Sequence, residues 1–124
     1  MIRHSLSITT DSSGDFSAET PKLFGRFLQY RYVPHAVTPL DTGADLDITG
    51  TTTGFVYVNQ DNIGTTAFSK APRQPTHDAT GAASLYAAAG EPVEDYMFLS
   101  GESMTVTIAG GGNTLSGTLH IWVG

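Results

Sequence analysis

The sequence predicts an all-β protein: a single antiparallel β-sandwich or jelly roll of about eight short strands, in one domain that spans residues 1–124. Three observations lead to this fold class. Polar and apolar residues alternate along most of the chain, which is the period of a strand with one buried face. Turn-forming residues separate the alternating segments at short intervals. No segment has the period of an amphipathic helix.

Two strands are predicted near the start of the chain. In IRHSLSIT every second residue from Ile2 to Ile8 falls on one face, and polar residues occupy the other. The polar cluster DSSGD then predicts a turn. A short second strand is expected around Phe16 to Glu19, and Pro21 ends it.

The stretch GRFLQYRYV, from Gly25 to Val33, predicts a stronger strand with bulky residues on both faces. Strict alternation divides it into two faces: Phe27, Gln29, Arg31 and Val33 on one, and Arg26, Leu28, Tyr30 and Tyr32 on the other. Because both faces carry bulky side chains, we expect both to contact other groups.

Two further strands and a long loop are predicted in the middle of the chain. Residues 34–44 form a loop, Leu46–Thr49 returns to alternation, and Phe55–Asn59 gives another strand. The Pro-rich region around residues 70–95 shows little alternation, although GAASLYAAAG within it could form a short helical turn. Loops longer than about 15 residues are uncommon and often functional. We therefore expect residues 70–95 to form a contact surface.

The last third predicts three strands. Tyr96–Leu99 is short and apolar, and SMTVTIA places Met104, Val106 and Ile108 inward. In TLHIWVG the inward residues are Leu119, Ile121 and Val123. With the glycine-rich segment GGGNTLSG between them, the last two strands predict a β-hairpin with a loose loop.

Composition argues against several classes of partner. The chain has twelve acidic and six basic residues, a net charge of −6 and no basic run, so nucleic-acid binding is not expected. It has no cysteine, which removes disulfides and thiolate metal sites. The N-terminus lacks the apolar segment of a signal peptide, and no apolar run approaches the roughly 20 residues that span a bilayer. We expect no membrane contact.

The letters DTGA at residues 41–44 resemble the catalytic loop of retroviral-type aspartic proteases. That chemistry needs two Asp carboxylates about 3 Å apart, and the loop must lie between buried strands. Here Pro39 precedes the loop and the half-polar segment ADLDIT follows it. The sequence therefore favours a turn, in which Asp41 and Asp45 accept hydrogen bonds from backbone N–H groups and Gly43 has a positive φ.

Other catalytic and metal-binding patterns are missing from the sequence. The four histidines are scattered, and no two have the spacing of metal ligands. There is no Gly-x-Ser-x-Gly elbow, and the segment AGGGN has no following helix or lysine that would make it a phosphate site. We therefore predict that the protein is not an enzyme and has no catalytic residue, metal site or cofactor.

Protein–protein contact is the predicted use of the arginine and tyrosine residues. Tyrosine and arginine are enriched in interface hot spots. The alternative is ordinary packing, with the aromatic rings in the sandwich core and the arginines extended along its surface. The interface candidates are Arg26, Tyr30, Arg31 and Tyr32 in the predicted strand, and Arg73 and Tyr86 in the long loop.

Four strings taken together resemble a group of small virion proteins of tailed phages: GRFLQYRYV, PLDTGADLDITG, APRQPTHDATG and the segment that begins GEPVEDYMFLSG and ends at the C-terminal HIWVG. The resemblance runs from about Gly25 to Gly124 and follows the order strand, PLDTGAD, strand, Pro-rich loop, PVED and terminal hairpin. These motifs are structural and not catalytic.

The resemblance implies a β-sandwich that decorates, or cements, the outside of a phage capsid. The implied partner is the major capsid protein, and the implied self-association is a homotrimer. The implied location is the capsid surface of the virion, after assembly in the host cytoplasm. A head–tail connector or tail component is the first alternative. A carbohydrate-binding β-sandwich, using Trp122 and the tyrosines, is the second.

Overall fold

The computed structural model describes residues 1–124 and consists of strands, turns and loops. It has ten strands, more than the approximate number expected from the sequence. No helix in it has the length and apolarity needed to cross a membrane. The strands are β1 (Ile2–Thr9), β2 (Phe16–Glu19), β3 (Leu23–Pro34), β4 (Asp45–Gly50), β5 (Val56–Gln60), β6 (Phe68–Lys70), β7 (Arg73–Pro75), β8 (Glu94–Glu102), β9 (Met104–Ala109) and β10 (Ser116–Val123).

The strands form two antiparallel sheets, which confirms the predicted all-β sandwich. The large sheet has six strands in the order β1-β10-β3-β8-β7, with β6 pairing with a separate part of β3. The small sheet has four strands in the order β2-β9-β4-β5. Only β4–β5 and β7–β8 are consecutive strands that pair with each other, so most connections cross between the sheets.

One apolar core lies between the sheets. It contains 19 buried hydrophobic residues contributed by both sheets and by the connecting loops. The alternation in the last third of the chain is confirmed, since Met104, Val106 and Ile108 of β9 are buried. The inward residues of β10 are buried as well: Leu119, Ile121 and Val123. Removing this apolar surface from water is the main stabilising contribution to such a fold.

The predicted terminal hairpin is wrong. Strand β9 pairs with β2 and β4 in the small sheet, whereas β10 pairs with β1 and β3 in the large sheet. The glycine-rich segment connects the two sheets, and hydrogen bonds fix it to the turn between β1 and β2, so it is not the loose loop that was predicted. Gly111 donates its N–H to the Gly14 carbonyl at 2.9 Å, and the Gly112 carbonyl accepts from Thr10 Oγ1 at 2.6 Å.

The predicted long loop at residues 70–95 contains more structure than the sequence indicates. It includes the end of β6, all of β7 and the first residues of β8. The segment GAASLYAAAG forms bridges and a turn instead of a helical turn. Asp78 organises the adjoining turn, because its carboxylate accepts hydrogen bonds from the backbone N–H groups of Thr80 and Ala82. Residues 76–93 are thus a folded excursion between β7 and β8.

Candidate functional site: the arginine face of the large sheet

Two of the predicted interface residues are core residues. Tyr30 is 2% exposed and Tyr32 is 0% exposed, and both belong to the apolar cluster between the sheets. The Tyr32 hydroxyl donates to the Gly64 carbonyl at 2.9 Å, which satisfies its polar atom inside the core. Burial raises the pKa of each tyrosine to about 12. Their assignment to a partner interface is therefore wrong, and the packing alternative holds for both.

A β-bulge in β3 explains why strict alternation misplaced these residues. Gln29 pairs with Trp122 of β10, but the next β10 residue, Val123, pairs with Phe27, so Leu28 is an extra residue. Leu28 and Gln29 both line one cleft on the outer side of the sheet. An extra residue shifts the side-chain alternation by one position. Phe27 therefore shares the inner face with the two tyrosines.

The same bulge brings Arg26 and Arg31 to one face, although strict alternation places them on opposite faces. Arg31 lies beside His120 of β10, and Arg26 pairs with Phe98 of β8. On the other edge of β10, Arg3 of β1 pairs with Trp122. We call this outer surface of the large sheet the arginine face. It comprises all four arginines and four aromatic residues: Arg3, Arg26, Arg31, Arg73, Phe24, Tyr96, Phe98 and Trp122.

The centre of the arginine face is a stack of two arginines on one tyrosine. Arg73 pairs with Tyr96 across β7 and β8, and its guanidinium carbon lies 3.8 Å from the centre of the Tyr96 ring. The Arg26 guanidinium carbon lies 5.3 Å from the same ring centre. A cation over an aromatic ring is attracted to the negative face of the π-system. Two of the predicted interface residues are thereby brought together, although they lie far apart in the sequence.

Exposed phenylalanines extend the stack toward the end of β8. Phe98 is 61% exposed beside Arg26, and Phe24, two residues before Arg26, is 70% exposed. The Phe24 ring lies over Gly101, where an added Cβ would come within 2.5 Å of the ring. Sequence reasoning did not select these two residues, or Tyr96, as site residues. The signal in the sequence was spacing: Phe24 and Arg26 are two residues apart, as are Tyr96 and Phe98, so each pair shares one face of its strand.

A cleft of about 490 Å³ opens on the arginine face beside the stack. Its lining includes Gln29, Arg73, Tyr96 and Trp122, together with apolar side chains. It therefore combines aromatic walls with a guanidinium and an amide at one opening. Such a lining suits a protruding side chain with an apolar stem and a carboxylate or amide end.

Three arginines of this face donate hydrogen bonds to main-chain or hydroxyl oxygens. Arg73 Nη1 donates to the carbonyls of Ala71 and Pro72, each at 3.0 Å. Arg26 Nε donates to the Gly124 carbonyl at 3.2 Å, and Arg31 Nη1 donates to Ser69 Oγ at 2.9 Å. These bonds orient the guanidinium groups, and none of them is to an Asp or Glu carboxylate.

His120 lies among the arginines of this face. Partial burial lowers the pKa of this histidine, and the charges of Arg3 and Arg31 lower it further. His120 Nδ1 lies 2.7 Å from Ser5 Oγ, in the cross-strand row that also holds Arg31. The middle of the face is therefore positive even though the whole chain has a net charge of −6.

The outer face of the small sheet has the opposite character. Asp47 lies between Thr107 and Asn59, and Thr105 lies between Glu19 and Thr49. None of the strands in this sheet contains a lysine or an arginine. The outer surface of the small sheet thus carries carboxylates and no cation, whereas that of the large sheet carries all four arginines.

Tyr86 lies apart from the arginine face. It is 77% exposed in the excursion between β7 and β8, and its backbone N–H donates to the Glu91 carbonyl at 3.1 Å. It does not line the cleft beside Tyr96. Of the six predicted interface residues, the structure places Arg26, Arg31 and Arg73 on the arginine face, Tyr30 and Tyr32 in the core, and Tyr86 at a separate position.

Residues 41–43 of the DTGA segment form an exposed turn between two buried residues, Leu40 and Ala44. The turn closes through the main chain, because the Ala44 N–H donates to the Asp41 carbonyl at 3.1 Å. Asp45 accepts a backbone hydrogen bond as predicted, from the Asn62 N–H at 3.2 Å. The predicted positive φ of Gly43 is wrong, since Gly43 is not among the residues with positive φ.

The remaining candidates for a site are a metal-binding cluster and a second cleft. No three His, Asp or Glu side chains gather closely enough to hold a metal ion. A second cleft, of about 430 Å³, opens between β5 and the segment after β6, and it is lined by Tyr57, Gln60 and Lys70 among others. There Lys70 Nζ already donates to Gln60 Oε1 at 2.5 Å. This cleft therefore has a single cationic group, whereas the arginine face has four.

No model of a known protein family matches the chain, and no curated protein sequence is significantly similar to it.

Proposed function

We propose that this protein is a structural component of a phage particle, which binds the outer surface of the major capsid lattice through its arginine face and stabilises the shell. The observation that carries the docking proposal is the arginine face itself. It joins four arginines that have no Asp or Glu partner to exposed aromatic rings on one side of a sandwich whose net charge is −6. The virion setting rests on the sequence resemblance.

Charge complementarity selects an acidic surface as the partner. A net-negative chain approaching an acidic lattice is repelled overall, so only an approach that presents the arginine face is favourable. The carboxylates of the small sheet would then point away from the lattice toward solvent. The sandwich therefore has a defined orientation on its partner.

The binding energy is expected to be concentrated in a few residues. Phe24 and Phe98 would bury apolar rings, while the Arg26–Tyr96–Arg73 stack would meet carboxylates. A hot-spot residue of this kind contributes about 2 kcal/mol or more, equivalent to an affinity change of about 30-fold. A protein that binds the assembled lattice but not the free subunits opposes disassembly by its binding free energy at each site. This is a binding role without a catalytic step.

The location of the protein in purified particles tests the proposal. Cryo-electron microscopy should show density that follows the lattice symmetry over the whole shell, with the arginine face inward. Density confined to the tail axis would replace this function with that of a connector or tail component. Selective glycan binding, measured on an array and abolished by Trp122→Ala, would replace it with carbohydrate recognition.

Variants test the docking surface separately. Arg26→Ala combined with Arg73→Ala should weaken the affinity for stripped particles by about 30-fold or more, which is seen as lower occupancy. Binding of the wild type should also be more sensitive to salt than binding of this variant. Lys22→Ala combined with Lys70→Ala is the matched control, because it also removes two positive charges, both at exposed residues outside the arginine face. Equal loss of occupancy in the control would indicate a net-charge effect and contradict a specific docking face.

A further inference from the structure

Strand β1 leaves an open edge on the large sheet. All eight of its residues pair with β10 in an unbroken register, from Ile2 with Val123 to Thr9 with Ser116. Its other side pairs with no strand. The strand contains no proline, and Arg3 is its one lysine or arginine. A long, regular and unprotected edge is a template for pairing with another chain.

The other edges of the sandwich carry features that limit such pairing. Strand β6 has three residues, and β7 has three residues and ends at Pro75. Strand β2 has four residues and is followed closely by Pro21. Strand β5 is interrupted by a register shift against β4. Short strands, prolines and bulges are the usual means of blocking an edge, and β1 has none of them.

The open edge presents the backbone groups of alternate residues. Thr10, which continues the β1 register, donates its N–H to the Leu115 carbonyl at 2.9 Å. In an antiparallel ladder the hydrogen-bonded residues alternate, so the even-numbered residues of β1 bond to β10. The N–H and C=O groups of Arg3, Ser5, Ser7 and Thr9 consequently point toward the open edge.

We propose that β1 is a self-association edge, which pairs antiparallel with β1 of a second copy about a two-fold axis. The open backbone groups restrict the register to one in which odd residues face odd residues. Among those registers, the two with the greatest overlap of the strands place Arg3 opposite Ser7 or Thr9 of the partner copy. The two Arg3 side chains are separated by four to six residue steps, about 14–20 Å at 3.4 Å per residue, which is beyond the screening length at physiological salt.

A second copy fits this edge because the strand is complementary to itself. Serine and threonine occupy its outer face apart from Arg3, so no carboxylate or bulky side chain opposes the approach. The two edges have equal length and the same open backbone groups. The pairing would join two large sheets side by side and place two arginine faces on one continuous surface. It does not depend on the proposed docking function.

Sedimentation velocity of the isolated chain over a range of concentrations tests the pairing. The wild type should sediment as a monomer–dimer equilibrium. Ser7→Pro removes an N–H that points to the open edge and leaves the bonds to β10 in place. Each dimer loses two hydrogen bonds, so its dissociation constant should rise about 30- to 100-fold. Ser7→Ala, which keeps the N–H, is the matched control and should dimerise like the wild type.

A second variant covers the case in which Ser7→Pro fails to fold, as judged by circular dichroism. Ser7→Lys keeps the backbone N–H but places a lysine beside Ser5 or Arg3 of the partner copy, and it should also weaken the dimer. The inference is overturned if the wild type remains monomeric at all concentrations or forms a closed trimer. It is also overturned if Ser7→Pro folds and dimerises as well as Ser7→Ala. Where Ser7→Pro does not fold, the same result for Ser7→Lys overturns it.

Discussion

Replacing Tyr32 and its neighbour Arg31 separates core packing from surface recognition within one strand. Tyr32 is fully buried, its ring centre is 6.0 Å from that of Phe68, and its hydroxyl donates to the Gly64 carbonyl. Arg31 points to the opposite side, toward Ser69. We expect Tyr32→Ala to destabilise the fold strongly and Arg31→Ala to leave it almost unchanged.

The magnitude follows from what each change removes. Truncating a buried aromatic residue to alanine costs about 3–5 kcal/mol. The Gly64 carbonyl loses its partner as well, which adds about 1 kcal/mol or more. The sum is a large part of the roughly 5–15 kcal/mol that stabilises a typical domain. Tyr32→Phe keeps the ring and isolates the hydrogen bond, so it should cost about 1–2 kcal/mol.

Urea unfolding followed by circular dichroism measures these differences. With a slope of about 2 kcal/mol per molar urea, Tyr32→Phe should lower the midpoint by about 0.5–1 M. Arg31→Ala should change the free energy of unfolding by less than about 0.5 kcal/mol. The placement of Tyr32 in the core would be refuted if Tyr32→Ala cost less than about 1 kcal/mol, or no more than Arg31→Ala does.

Two further predictions concern buried polar groups. Thr10→Val should lower the free energy of unfolding by about 1–3 kcal/mol, because Gly112 and Leu115 lose their hydrogen bonds to the Thr10 hydroxyl. In the same urea titration the control Thr9→Val should change it by less than about 0.5 kcal/mol. Burial raises the pKa of Tyr30 and Tyr32 from 10.0 to about 12, so their contribution to stability is complete below pH 10 and is lost as the pH rises through 12. Urea midpoints across that range should fall, and less steeply in Tyr32→Phe; a midpoint independent of pH there would contradict the burial of both hydroxyls.

Local pattern was sufficient to predict most of the strands. In β9 and β10 alternation identified the buried residues, and in β2 it identified both bounds. It could not show that β9 and β10 lie in different sheets. A strand presents the same alternation whether its chain neighbour pairs with it or packs across the core. The glycines between them were compatible with either connection.

The candidate site was predictable only in part. Arginine and aromatic residues of interface type were evident in the sequence, and the structure places Arg26, Arg31 and Arg73 on one outer face. Tyr96 and Phe98 were missed because Arg26 of β3, which lies beside both, is about 70 residues away in the sequence. Which strands become neighbours depends on long-range pairing, which no local window of sequence contains.

By itself the sequence determined the all-β class, the acidic balance, the alternating core of the last strands and the supply of arginine and tyrosine residues in β3. The tertiary structure alone decided how those residues divide between core and surface. The single extra residue at Leu28, set by the register of β3 against Trp122 and Val123, shifts the alternation by one. That shift puts the tyrosines of β3 inside and its two arginines together outside, because the side-chain period of a strand is two and one inserted residue exchanges its faces.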